Sequence, residues 1–189
     1  MSSVYSFVPQ KSRSILQCWI DVLNLNVKVV NPRRTKLGDF KVISNQMSIT
    51  INNNLNKYSF LITLTHEIAH AFVYKKYRDR VSPHGKSWQL TFKSLMLNFL
   101  TTDYFPEDIL KVLSYHMISP KASTFSDLEL IKKLKKYDYI KSFTVSDFAN
   151  GAALADLNNQ LTLTFTGQPA VGDNFEIAGG IGAGEVFKF

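Results

Sequence analysis

The sequence predicts an α+β protein: a small twisted β-sheet packed on helices, one of which carries a histidine pair, followed by a β-rich tail. Three observations carry that expectation. The stretch TLTHEIAHAFV, residues 63–73, is apolar on most of its sides and sets His66 and His70 four residues apart. Upstream, short β-branched runs alternate with polar turns, and downstream apolar residues recur at helical spacing. From residue 142 onward the chain changes to brief β-like runs between turns such as Asn158-Asn159, Gly167-Gln168-Pro169 and Gly179-Gly180.

The elements follow in order. A chain of 189 residues with 45% hydrophobic and 13% aromatic content can build one sizeable core with a small appendage. Residues 11–23 read as an amphipathic helix with Ile15, Leu16, Trp19, Ile20 and Leu23 on its apolar face, and Cys18 is expected as a small buried filler or a neighbour of that face. Residues 27–30 form a strand ended by Asn31-Pro32, and Arg33, Arg34 and Lys36 follow in a loop. Residues 40–43 and 47–51 read as two more strands around the turn Ser44-Asn45-Gln46. Met47, Ile49 and Ile51 alternate with polar residues, so one face is buried. Residues 52–56 break the last strand and supply an N-cap for the histidine-bearing helix.

Further on, Trp88, Phe92, Leu95, Met96, Phe99 and Leu100 read as the apolar face of the next helix. Pro106-Glu107-Asp108 opens a short helix, with His116 expected past its end as a surface or core residue. Ser126 and Glu129 form a capping-box pair for a helix reaching about Tyr137, on which Lys132, Lys133, Lys135 and Lys136 surround Leu134 as a solvated face. The tail contributes runs at 161–165, 174–177 and 186–189, with no legible chemistry. Domain boundaries are expected at 1–141 and 142–189.

The chemistry sits in His66-Glu67-Ile68-Ala69-His70, an H-E-x-x-H pattern. Residues four apart on a helix are offset by about 40°, so both imidazoles lie on one face and can grip one metal ion. Glu67 lies about 100° round from His66, within reach of a bound water without being a ligand. Imidazole ligands of this kind make zinc the first choice, and catalytic zinc usually takes three protein ligands. Val73 and Lys76 stand where a Gly and a His would continue a metzincin pattern, and no Glu occurs between Glu67 and Glu107. His84 therefore leads the remaining candidates, ahead of Asp79 and Asp103.

Charge adds a second theme. The net charge is +7, yet residues 142–189 carry −4, so the first 141 residues carry +11. A basic block of that size favours polyanions, nucleic acid first, although solubility alone explains many basic proteins. Lys75, Lys76, Arg78, Arg80 and Lys86 crowd the connection after His70 and form the candidate nucleic-acid contact. The single Cys18 excludes an internal disulfide and a Cys-rich zinc ribbon, and fits a reducing, cytoplasmic setting. No apolar h-region opens the chain and no run of eighteen apolar residues occurs, so neither export nor a membrane span is expected.

The segment HEIAHAFVYKKYRDRVSPHGKSW resembles the SprT-like family of zinc metallopeptidases, whose pattern is a helical HExxH followed by H-G-x-x-[FW]. The likeness extends from Trp19 to Asp138 and includes Asn31-Pro32-Arg33 and Gly38-Asp39-Phe40; Pro120-Lys121-Ala122-Ser123 is similar to a subgroup found in Bacteroidetes-type bacteria. The resemblance implies a zincin-like fold, zinc on His66, His70 and His84, and Glu67 as general base. It also implies a protein or peptide substrate, with DNA-crosslinked proteins among those that Spartan-type relatives cut. The strand at 47–51 is expected to be an edge that aligns a peptide. The rival expectation is a nucleic-acid-binding module with a structural zinc and no peptidase activity.

Overall fold

The computed structural model describes residues 4–121 and 127–138, and the backbone of four short strands beyond them. The chain divides into two compact units, Met1–Ile140 and Lys141–Phe189. In the second unit β4 (Ala153–Ala155) pairs antiparallel with β5 (Thr162–Thr164), and β6 (Asn174–Glu176) with β7 (Val186–Lys188).

The first unit opens with two 3-10 turns and α1 (Arg13–Leu23), which ends on Asn24 in the left-handed conformation that short polar residues tolerate. Leu16 and Leu23 are buried, whereas Cys18 is exposed, so of its two expected places the buried filler is excluded. The reason is angular: two residues beyond Leu16, Cys18 points about 200° away from it.

Three strands follow. β1 (Asn26–Val30), β2 (Gly38–Ile43) and β3 (Gln46–Asn52) form a sheet in the order β1-β3-β2, with β1 parallel and β2 antiparallel to β3. The β2–β3 hairpin turns on Ser44 and Asn45, both with positive φ (48° and 64°), as a two-residue loop matched to strand twist requires. β3 is central, not the edge expected for residues 47–51. Ile49 and Ile51 are fully buried on it, and β2 takes the edge.

α2 (Lys57–Tyr77) crosses the molecule and packs on β2, β3, α1 and α3. Eleven of its residues are buried, so it behaves as a core helix with no broad solvated face. Asn56 caps it: its side-chain oxygen accepts from the amides of Tyr58 (3.1 Å) and Ser59 (3.0 Å). Its amide group donates to the Leu134 carbonyl at 2.9 Å, tying the start of α2 to the far end of the unit.

α3 (Lys86–Met96) buries Trp88, Phe92 and Met96, and ends before Phe99, which is also fully buried. α4 runs over Glu107–Ile118 and contains His116 within its last turn, because nothing breaks the helix before Ser119-Pro120. His116 is buried, with its Nδ1 3.0 Å from Asp127. α5 (Leu128–Lys135) is capped by Asp127, which accepts from the Leu130 amide at 3.1 Å; the cap expected at Ser126 falls on a residue outside those described. Burial pushes the Asp127 carboxyl up, but the Leu130 amide and His116 outweigh it and hold the group below its ordinary range. Leu130 and Leu134 are buried while Lys132 and Lys135 are exposed, as expected of a solvated basic face. Among the described residues, no helix is long and apolar enough to cross a membrane.

Candidate metal centre

His66 and His70 project from the middle of α2, and His84 from the turn that precedes α3. That turn is closed by the Gly85 amide, which donates to the Ser82 carbonyl at 3.0 Å. The three Nε2 atoms converge: His66 and His70 are 3.2 Å apart, His70 and His84 3.0 Å, His66 and His84 3.3 Å. Nitrogens placed around one ion at the usual zinc–nitrogen distance and tetrahedral angle stand roughly 3.3 Å from each other. The trio therefore fits a metal ion. Among the described residues no fourth His, Cys, Asp or Glu joins the group. Asp79 lines the cleft beside it, while Asp103 is paired with Lys11 on the surface.

Burial, with the neighbouring imidazoles, pushes the pKa of His66 down to about 3, and burial with His84 takes His70 to about 4; burial lowers His84 as well. All three rings are thus neutral near pH 7, the form a metal requires.

An aromatic frame holds them. Trp88, fully buried, has its ring 4.5 Å from His66, 5.4 Å from His70 and 4.8 Å from His84, and its indole N–H donates to the His66 carbonyl at 3.4 Å. Phe92 stacks on Trp88 at 5.0 Å, and Phe40 lies parallel to His70 at 6.5 Å. Trp88 and Phe92 were legible as core; their second role, as the floor beneath three imidazoles, was not.

Glu67, about 100° round α2 from His66, turns towards β2 and lines the same cleft as the histidines. Its carboxylate accepts a hydrogen bond from the Phe40 amide and is 7% exposed. Burial, assisted by the charge of Asp39, pushes its pKa up to about 8, against the Phe40 amide and the charges of Arg33 and Lys36. Glycine at position 38 makes this packing possible: a Cβ there would stand 2.6 Å from Glu67 Oε1 and 2.8 Å from Thr63 Cγ2. Gly38→Ala should therefore displace the Glu67 carboxyl while sparing the histidines. The expected result is full metal content, which a metal titration of the variant beside the unsubstituted chain checks.

These groups line one cleft of about 660 Å³, walled by residues 35–40 of the β2 edge and by Tyr74, Arg78, Asp79, Val81 and Pro83. The wall at 35–37 is held by Arg33, whose guanidinium donates to Asn52 Oδ1 (2.9 Å) and Thr50 Oγ1 (2.9 Å), while Asn52 donates back to the Arg33 and Lys36 carbonyls. The five cations read as a nucleic-acid rim do not share one role. Lys75 donates to the Val22 carbonyl of α1 (2.9 Å), Lys76 lies over Tyr77, and Arg78 faces the cleft; Arg80 and Lys86 are exposed.

Residues 20–108 match the sequence profile of the SprT-like family. Searches of curated proteins and of solved structures returned no match. The matched segment spans the sheet, the helix bearing His66, Glu67 and His70, the turn bearing His84, and α3 with Trp88. Over this segment, 89 of the chain's 189 residues, the chain is similar to the SprT-like family, a family of metallopeptidase-like domains.

Proposed function

We propose that the chain is a zinc-dependent endopeptidase of the HExxH type, with DNA-bound or DNA-crosslinked proteins as its substrate class. One observation supports it above all: three neutral imidazole nitrogens converge in a cleft whose wall also presents a buried carboxyl that is not among them. Structural zinc sites are normally closed by four protein ligands, so a three-ligand group in an open cleft suits hydrolysis.

His66, His70 and His84 would hold the ion. Zinc supplies Lewis acidity towards the scissile carbonyl and a water acidified to near neutrality. With the charge of a held ion nearby favouring its ionised form, Glu67, steadied by the Phe40 amide, would accept a proton at its carboxylate and later deliver it to the departing amine. β2 is an edge strand that lines the cleft, so it can pair with an extended peptide and lay the scissile bond across the site. Tyr74, in the cleft wall, is the candidate to stabilise the oxyanion.

The basic character of the first unit is assigned to DNA, with Lys75, Lys76, Arg80 and Lys86 as contacts outside the cleft. The purified chain should degrade a histone in the presence of zinc, stop on chelation and resume on zinc addition. DNA affinity should fall steeply with salt, and replacing Lys75, Lys76, Arg80 and Lys86 by Ala should flatten that slope by up to about four phosphate contacts. Cleavage that survives complete chelation would overturn the peptidase reading.

A further inference from the structure

Arg78 is the residue whose surroundings the reaction does not explain. It ends α2 with φ 54° and ψ −139°, a backbone conformation that side chains other than glycine rarely adopt. Glycine would relieve this backbone, and residues held in such conformations cluster at functional sites. The guanidinium lies 5.1 Å over the ring of Tyr74, Tyr74 tilts against Phe40 at 6.0 Å, and Phe40 lies parallel to His70. A continuous aromatic wall thus runs from the metal centre to a cation at the lip. All four residues line the same cleft.

The charges around that lip leave Arg78 open. The other cation of the cleft, Lys36, is paired with Asp39 at 2.9 Å, and Lys41 reaches Asp39 as well. Glu67 is occupied by the Phe40 amide. Among the described residues no ion pair joins Arg78 to any carboxylate. Stacking on Tyr74 leaves the edge of the guanidinium, with its fork of N–H donors, free for an anion.

We propose that Phe40, Tyr74 and Arg78 form a substrate subsite that selects a glutamate side chain of the bound peptide near the scissile bond. The two rings cover the apolar stem, and the guanidinium pairs with the carboxylate. Aspartate, one methylene shorter, fits this reach less well. The proposal rests on the cleft being a peptide site, and it withdraws Arg78 from the candidate nucleic-acid contacts.

The test uses zinc-loaded Glu67→Gln protein and short fluorescent peptides that differ only in carrying Glu, Gln or Lys at one position. Binding is read by anisotropy, and turnover of the same peptides is followed with the unsubstituted chain. At one position Glu should bind about tenfold more tightly than Gln, as a charge-assisted pair allows, and Lys more weakly still. Arg78→Gly should abolish that preference without lowering the melting temperature, because glycine suits the backbone there. A merely structural Arg78 would lower it. Equal binding of Glu and Gln peptides at every position overturns the proposal, as does a preference that persists in the Arg78→Gly protein. Loss only of salt-dependent DNA binding in that variant would return Arg78 to the nucleic-acid face. If the peptides discriminate in binding but none is cut by the unsubstituted chain, the subsite stands and the peptidase reading falls.

Discussion

Glu67→Gln should leave the chain folded and fully metallated while lowering peptide cleavage by about 10²–10⁴-fold, the range for loss of a general base. The substitution keeps the size of the side chain, so its packing against Gly38 survives. It leaves the nitrogens of His66, His70 and His84 untouched, because Glu67 points to the β2 side of α2. The same variant has a second signature in the metal-free protein. Burial favours the protonated carboxyl and raises its pKa from 4.5 to about 8, so the folded state holds a proton that the unfolded chain releases. Stability contributed this way is complete below about pH 4.5 and declines by up to about 1.4 kcal/mol per pH unit until about pH 8. Glutamine has no such dependence. Metal-free Glu67→Gln should therefore be more stable than the unsubstituted chain at neutral pH, by a few kcal/mol at most. Denaturant titrations at pH 5 and pH 8 check the sign.

Trp88→Ala should be the most damaging single change near the site. A fully buried tryptophan replaced by alanine costs about 3–5 kcal/mol through lost burial and the cavity left behind. It also removes the ring that lies within 5.4 Å of all three imidazoles. Partners of this kind that orient ligands change metal affinity by about 10–100-fold when removed. Competition with a chromophoric chelator measures that loss, and Trp88→Phe, which keeps a buried ring, should recover most of it. Metal affinity unchanged in Trp88→Ala would show that the histidines are oriented by α2 and the His84 turn alone.

The parts of the site carried by one helix were legible in the sequence because helical geometry fixes them locally. His66, Glu67 and His70 need only a regular α2, and Asn56 announces where it begins. The hairpin was equally local, since Ser44 and Asn45 tolerate the positive φ that its turn demands. His84 is different: fourteen residues separate it from His70, and only the folded path of that connection brings its ring to the other two. Strand order escaped the sequence altogether. Alternation along residues 47–51 shows that one face is buried but says nothing about neighbours on either side, and β3 proved central while β2 forms the edge beside the cleft. Trp88 and Phe40 escaped for a related reason. Apolar aromatics at helical or strand spacing read as core wherever they point, and their contact with imidazoles depends on how α3 and β2 pack against α2. Arg78 was visible as charge, but its turn into the cleft depends on a backbone angle that no pattern encodes.

The central claim is an open metal centre held by three histidines. X-ray absorption at the zinc edge of the purified, zinc-loaded chain tests it most directly. The expected spectrum shows about one zinc per chain, with three imidazole nitrogens at roughly 2.0–2.1 Å and one light oxygen ligand that is not protein. Conversion of His84 to Ala should remove one of the three imidazoles from that shell. Four protein ligands around the ion, or no zinc retained by the folded protein, would contradict it.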